Sequence, residues 1–348
     1  MSVETTIANR KVDENSNFPV TVGSIEDPVV LSKGLPDCST TMYVDDTSAV
    51  VSGHQLDAVM TKAQQLTDNQ VEWLEDNGMV VSPGKSKLII CTTRDLRRAR
   101  IQHLPDGVWV QGNLVAPTQS ERILGIYLDQ SMSWETHLWG ENWRETDNFP
   151  GIVSQLMGRA GLLVRLSREL PRSTMPSLVA GIFVSKLTFA MQIFCHTWDN
   201  NTYRETTYKA YSITKSDLAV LQTLQNKALR CISGGKVSDT STRELLQITG
   251  YLSVHQLAAH LTLTSFHNAI LNGAPQWIIS QVVHLQDTRT RKSQLRIPTA
   301  RLNLREESYL PRAIRLYNKL PPHLKTLTKI DFRRAARAWV WDNIPIRP

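Results

Sequence analysis

Tyr43-Val44-Asp45-Asp46 sets an aromatic ring and a β-branched residue before two adjacent carboxylates, and Thr47-Ser48-Ala49-Val50-Val51 follows. This pattern predicts a short strand, a tight turn carrying both acids, and a second short strand. Neighbouring carboxylates repel, so an apolar hairpin gains no stability from them. A divalent cation reverses that balance. Two-metal phosphoryl-transfer sites use carboxylates in this way, holding ions about 3.5–4 Å apart. The ordinary alternative for an Asp-Asp pair is a solvated turn. A second group of side chains lies near the other end. Tyr309, Tyr317, Trp339 and Trp341 are interleaved with Arg312, Arg315, Arg333, Arg334 and Arg337. Residues 289–347 hold 15 Lys/Arg against 4 Asp/Glu, a pattern that suits phosphate contacts plus base stacking. The alternative is an amphipathic helical domain whose aromatics are core and whose basic residues form the solvent face.

The elements that position these groups divide by charge. Residues 1–150 hold 12 Lys/Arg and 21 Asp/Glu, a net of −9, and residues 151–348 hold 27 and 11, a net of +16; the sum is the +7 of the whole chain. A basic half of this size fits a phosphate-backbone surface. At 348 residues the chain suits two domains or so, or one large domain with an appendage, and at 41% hydrophobic it is apolar enough for a real core. Cys38, Cys91, Cys195 and Cys231 show no Cys-x-x-Cys spacing, which argues against a disulfide framework or a zinc site and fits a reducing compartment. The first residues have no apolar run, so a secretory signal is not expected and an intracellular location, cytoplasmic and/or nuclear, is.

In order along the chain, residues 1–20 are expected to be a disordered lead-in, and 20–37 loop-rich. The acidic hairpin is followed by an amphipathic helix over 54–78, with Leu56, Val59, Met60, Ala63, Leu66, Val71 and Leu74 at three- and four-residue spacing and Asn77-Gly78 as its stop. Strands are predicted at 79–81, 88–92 and 123–129, with a hairpin around Gln111-Gly112-Asn113. Residues 135–150 read as a linker or insertion. Helices are predicted at 152–169, 174–197, 216–232, 241–249, 254–272, 276–284, 308–319 and 331–342. The apolar stretch 175–198 reads as a buried core helix and not a membrane span, because Lys186, Gln192 and His196 interrupt it. The fold class is α+β: antiparallel strands plus a helix, then a mostly helical region.

Several stretches together resemble a non-LTR (LINE-type, jockey-like) retrotransposon reverse transcriptase. Met42-Tyr43-Val44-Asp45-Asp46-Thr47 resembles the catalytic hairpin. Asn77-Gly78-Met79-Val80-Val81-Ser82-Pro83-Gly84-Lys85-Ser86-Lys87 looks like the next motif of the same palm. Ile123-Leu124-Gly125-Ile126-Tyr127-Leu128-Asp129, with Met132-Ser133-Trp134 and His137, is similar to the stretch that enters the thumb. Ser308-Tyr309, Arg312-Ala313, Leu316-Tyr317-Asn318, Leu320-Pro321 and Asp331-Phe332-Arg333 resemble the tail of such elements. The resemblance implies a partial reverse-transcriptase palm over 21–134, a helical thumb-like region over 151–285 and a basic helical C-terminal region over 286–348.

It also implies templated DNA synthesis on RNA, with an RNA template, a DNA primer, dNTPs and Mg²⁺ or Mn²⁺. Asp45 and Asp46 would bind the metal, Tyr43 and Val44 would pack under the primer terminus, and Lys85 would assist departure of pyrophosphate. Arg312, Arg315, Arg333, Arg334 and Arg337 would contact nucleic acid. No membrane partner is expected. A palm also needs an upstream aspartate on a Phe-x-x-Asp-type strand, which residues 1–42 do not show; Asp27 and Asp37 lie in Pro/Gly-rich sequence. Val22-Gly23-Ser24-Ile25-Glu26-Asp27-Pro28 matches the family's template-grip motif only at Gly23, Ser24 and Pro28. The resemblance is therefore to a fragment lacking the N-terminal polymerase and endonuclease parts, and little or no activity is expected of the chain alone. The competing reading is a non-catalytic nucleic-acid-binding protein derived from such an element.

Overall fold

The computed structural model describes residues 3–9, 35, 38–43, 46–92, 105–140, 150–195, 213–234, 240–284, 295–298 and 308–346. The chain divides into two compact units, Met1–Ser133 and Trp134–Pro348.

The first unit is built on a five-stranded sheet. Its strands are β1 (Val3–Asn9), β2 (Cys38–Tyr43), β3 (Asp46–Gly53), β4 (Lys87–Thr92) and β7 (Pro117–Thr118), in the order β2-β3-β1-β4-β7. β2 and β3 form the predicted hairpin, closed by Tyr43 opposite Asp46. Helix α1 (Leu56–Asp76) connects β3 to β4. β1 lies between β3 and β4 and is antiparallel to both, which makes those two parallel to each other and completes a split β-α-β arrangement. The alternation of β3 is the reason for the layer. Thr47, Ala49 and Val51 are buried, and Val59, Ala63 and Leu66 of α1 join Ala49, Val51, Leu88 and Ile90 in one core.

β1 corrects the expectation of a disordered lead-in for its seven residues. Val-Glu-Thr-Thr-Ile-Ala is rich in β-branched residues, and two strand edges receive its backbone groups on both sides. The strand predicted at 79–81 is absent; that segment runs into a 3₁₀ turn at Pro83–Lys85. The strand predicted at 123–129 is instead a hairpin of β8 (Ser120–Ile123) and β9 (Ile126–Asp129). Leu124 and Gly125 turn it with positive φ of 48° and 88°, a turn chemistry the apolar run conceals. The hairpin around Gln111-Gly112 is present as β5 (Val108–Val110) and β6 (Asn113–Val115), and Gln64 of α1 pairs with both backbone groups of Trp109.

The second unit is helical. It comprises α2 (Glu135–Trp139), α3 (Ile152–Glu169), α4 (Met175–Leu178), a π-helical segment (Val179–Val184), α5 (Ser185–Thr188) and α6 (Met191–Phe194). These are followed by α7 (Lys215–Ser233), α8 (Thr242–Thr249), α9 (Val254–Asn272), α10 (Gln276–His284), α11 (Tyr309–Asn318) and α12 (Lys329–Asn343). α2 starts where a linker was expected; residues 141–149, with Trp143 and Phe149, lie outside the described residues. The single helix expected over 174–197 is broken. A π turn interrupts it, and Ala190 adopts a left-handed φ of 54° between α5 and α6. Residues 196 and 197 lie outside the described part.

α9 is the axis of this unit. Its sequence contains no Asp, Glu, Lys or Arg, and it packs against α7, α11 and α12. Local signals set the ends of the helices around it. Thr214 with Asp217, Ser241 with Glu244 and Ser253 with Gln256 each form a reciprocal capping box. Gly234 ends α7 at a φ of 71°, which a side chain would strain. Among the described residues no helix is long and apolar enough to cross a membrane.

Candidate nucleic-acid interface and the acidic hairpin

The sheet register brings two of the predicted catalytic residues to one end. Asn9, the last residue of β1, pairs with Thr47 of β3, and Ala8 pairs with Lys87 of β4. Asp46 immediately precedes Thr47, and Lys85 lies two residues before Lys87. They therefore lie toward the C-terminal end of β1, Asp46 at the start of β3 and Lys85 in the turn that leads into β4, and those two strands are two spacings or roughly 10 Å apart. Asp46 is half-buried at the start of β3, and Lys85 is exposed at the end of its 3₁₀ turn. Val44 and Asp45 lie outside the described residues, as does the segment Val22–Pro28; Tyr43 is the last residue of β2.

A metal fit can be tested on this donor set. The strand between the hairpin and β4 ends on Asn9, and its one acid, Glu4, pairs near the opposite end with Ser52 and Cys91. Among the described residues, no group of three or more His, Cys, Asp or Glu could hold a metal ion. The described donors thus fall short of a two-metal centre. Asp129, in the thumb-entry motif, is committed to structure. Its carboxylate accepts from the backbone and hydroxyl groups of both Ser131 and Ser133 at 2.7–3.0 Å.

The five arginines of the basic tail separate into different roles. Arg312 is buried, contrary to its expected place on a phosphate-binding surface. Its guanidinium donates to the carbonyls of Cys195 (3.0 Å), Ile193 (2.8 Å) and Gln192 (3.4 Å), and its Nε donates to that of Ser308 (3.3 Å). Those acceptors include carbonyls at the C-terminal end of α6, which its own backbone cannot satisfy. Arg312 therefore ties α11 to α6. Arg315 is half-buried. Arg337 is exposed but donates to the Gly250 carbonyl at the end of α8. Arg333 and Arg334 are exposed on α12 and have no carboxylate partner among the described residues.

The interleaved aromatics belong to the core side. Tyr317 is buried, Tyr309 bonds Ser265 at 2.7 Å, and Trp339 and Trp341 pack partly buried against the helical core. Burial pushes the Tyr317 phenol up to about 12 and raises that of Tyr309 as well. The buried Tyr317 ring is closed to base stacking. Sequence reasoning missed Arg165, Arg168 and Arg172, all exposed in or just after α3. The signal for them was the spacing Arg-x-x-Arg-x-x-x-Arg at the helix end.

No protein-family model, no curated protein and no solved structure matches this chain.

Proposed function

We propose that this chain binds nucleic acid through the basic face of its helical unit, and that it derives from the palm-and-thumb part of a non-LTR reverse transcriptase. The observation that carries the binding reading is the pair Arg333 and Arg334, exposed and without a carboxylate partner among the described residues, on a helix anchored along α9. Cations held on a rigid helix and not engaged by acids are available to phosphates. The motif order and the split β-α-β topology under the acidic hairpin support the ancestry. The partners on this reading are RNA and DNA strands.

The second reading, an RNA-directed DNA polymerase using an RNA template, a DNA primer, dNTPs and Mg²⁺ or Mn²⁺, is favoured by the register that gathers Asp46 and Lys85 at one sheet end. It is disfavoured by the absence of an acid at the end of β1. The test is a purified chain assayed twice, for gel-shift binding of an RNA–DNA hybrid across 50–200 mM salt and for Mg²⁺-dependent primer extension. Salt-dependent binding that survives Asp45→Asn and Asp46→Asn, without extension, is expected. Extension abolished by those substitutions would establish the polymerase reading, and no binding at 50 mM salt would overturn both.

A further inference from the structure

We propose that His255, His260 and His267 form a latch that holds the C-terminal helix α12 against α9, and that its His260 and His267 contacts loosen as the solvent acidifies. The three histidines lie along α9, all buried. Each meets a main-chain carbonyl of the C-terminal segment, in antiparallel order: His267 Nε2 with Leu327 (3.0 Å), His260 Nε2 with Arg333 (3.0 Å) and His255 Nδ1 with Pro345 (3.2 Å). Gln256 adds bonds to the carbonyls of Ile344 (2.8 Å) and Trp341 (3.4 Å). A carbonyl only accepts, so the bonded ring nitrogen carries the proton in each case. For His267 this fixes the neutral tautomer, because its Nδ1 meets the Tyr317 hydroxyl at 3.0 Å and takes that proton. The ring also stacks on Phe332 of α12, with centroids 3.7 Å apart.

Among the described residues, no carboxylate acts on His260 or His267 to balance a second proton. α9 has no acid. The charged groups acting on His260 are Arg333 and Arg337 of α12. Lys325 sits over the ring of Tyr317, the hydroxyl partner of His267. Of the remaining charged groups on the packed elements, Arg312 is engaged with carbonyls, Arg315, Lys329 and Arg334 are further cations, and on α7 the one acid, Asp217, is bonded to Thr214 while Lys215, Lys227 and Arg230 are cations. Asp331 and Asp342 are exposed, and Asp331 is bonded to Thr328. Charging a buried imidazole among cations disfavours the docked state. Burial accordingly lowers the pKa values of His260 and His267. Groups lowered on folding stabilise the docked state above their free value of 6.5 and lose that contribution as pH falls below it.

Hydrogen exchange on the full chain at pH 7.5 and 5.5, corrected for intrinsic rates, tests the latch. At pH 5.5, one unit below the free value, each histidine held neutral contributes a factor of up to about ten. Opening of the α12 amides is expected to rise by up to about a hundredfold for His260 and His267 together, and by a larger factor than opening of α3 in the same unit. His260→Gln and His267→Gln keep an N–H donor without titrating, and each is expected to remove part of the α12 excess. Equal factors for α12 and α3 in the natural chain, or an undiminished excess in folded Gln variants, would overturn the proposal. The comparison of α12 with α3 stands even if a Gln variant does not fold.

Discussion

Replacing Arg312 by alanine separates structural from binding arginines in the C-terminal region. The substitution leaves the buried Cys195 carbonyl and the part-buried carbonyls of Gln192 and Ile193 without the donor they now share. Each orphaned group costs about 1–3 kcal/mol, and removing a buried, hydrogen-bonded charge costs about 3–5 kcal/mol altogether. We take about 4 kcal/mol for Arg312→Ala and roughly half of that for Arg312→Lys, because an ammonium cannot reproduce the fork of a guanidinium. For a unit the size of Trp134–Pro348, a shift of 2–4 °C per kcal/mol converts this to a fall in Tm of about 8–16 °C. Thermal unfolding at 222 nm reads the loss, since the helices reside largely in that unit. The contrast is Arg334→Ala, expected to change stability by less than about 0.5 kcal/mol while weakening nucleic-acid binding. If Arg312→Ala unfolds within about 2 °C of the natural chain and weakens binding as Arg334→Ala does, the assignment of Arg312 to structure is refuted.

Further expectations concern charge, polar burial and backbone. Alanine at Arg333 and Arg334 should reduce the slope of log K against log salt for duplex DNA by about 0.9 each, measured by salt titration; an unchanged slope would exclude them from phosphate contact. His137, buried against Phe194 with Lys186 near, has its pKa lowered by burial, and secondarily by that lysine, to about 4. It stabilises the fold above pH 6.5 and should contribute about 2 kcal/mol to the loss seen in denaturant unfolding between pH 7 and pH 5, a share that His137→Phe removes. Gln222→Ala removes the acceptor for Val254 N–H and a donor to Gln225 and Asn226, and should cost about 2–3 kcal/mol in urea unfolding. Gly107, at a φ of +145° with its Cβ direction blocked by the Val115 carbonyl, should lose about 2–3 kcal/mol on substitution by alanine, read from the same titration.

Much of the fold is written in short-range pattern. The helices at 254–272 and 276–284 have the predicted bounds residue for residue. The capping boxes at Thr214, Ser241 and Ser253 operate between residues three apart, so sequence alone contains both partners. The acidic hairpin is equally local, as the β-branched residues of β2 and β3 are close in sequence and pair with each other. Tertiary structure decided where the pattern is silent. Val3–Asn9 becomes a strand only because β3 and β4 present edges on either side of it. Arg312 looks like its neighbours in sequence, yet the carbonyls that bury it lie 117 to 120 residues away. The buried histidines likewise find their acceptors 60 to 90 residues along the chain. An arginine or histidine carries the same donors at the surface and in the core; what differs is the distant backbone that meets it, and composition and spacing do not record that meeting.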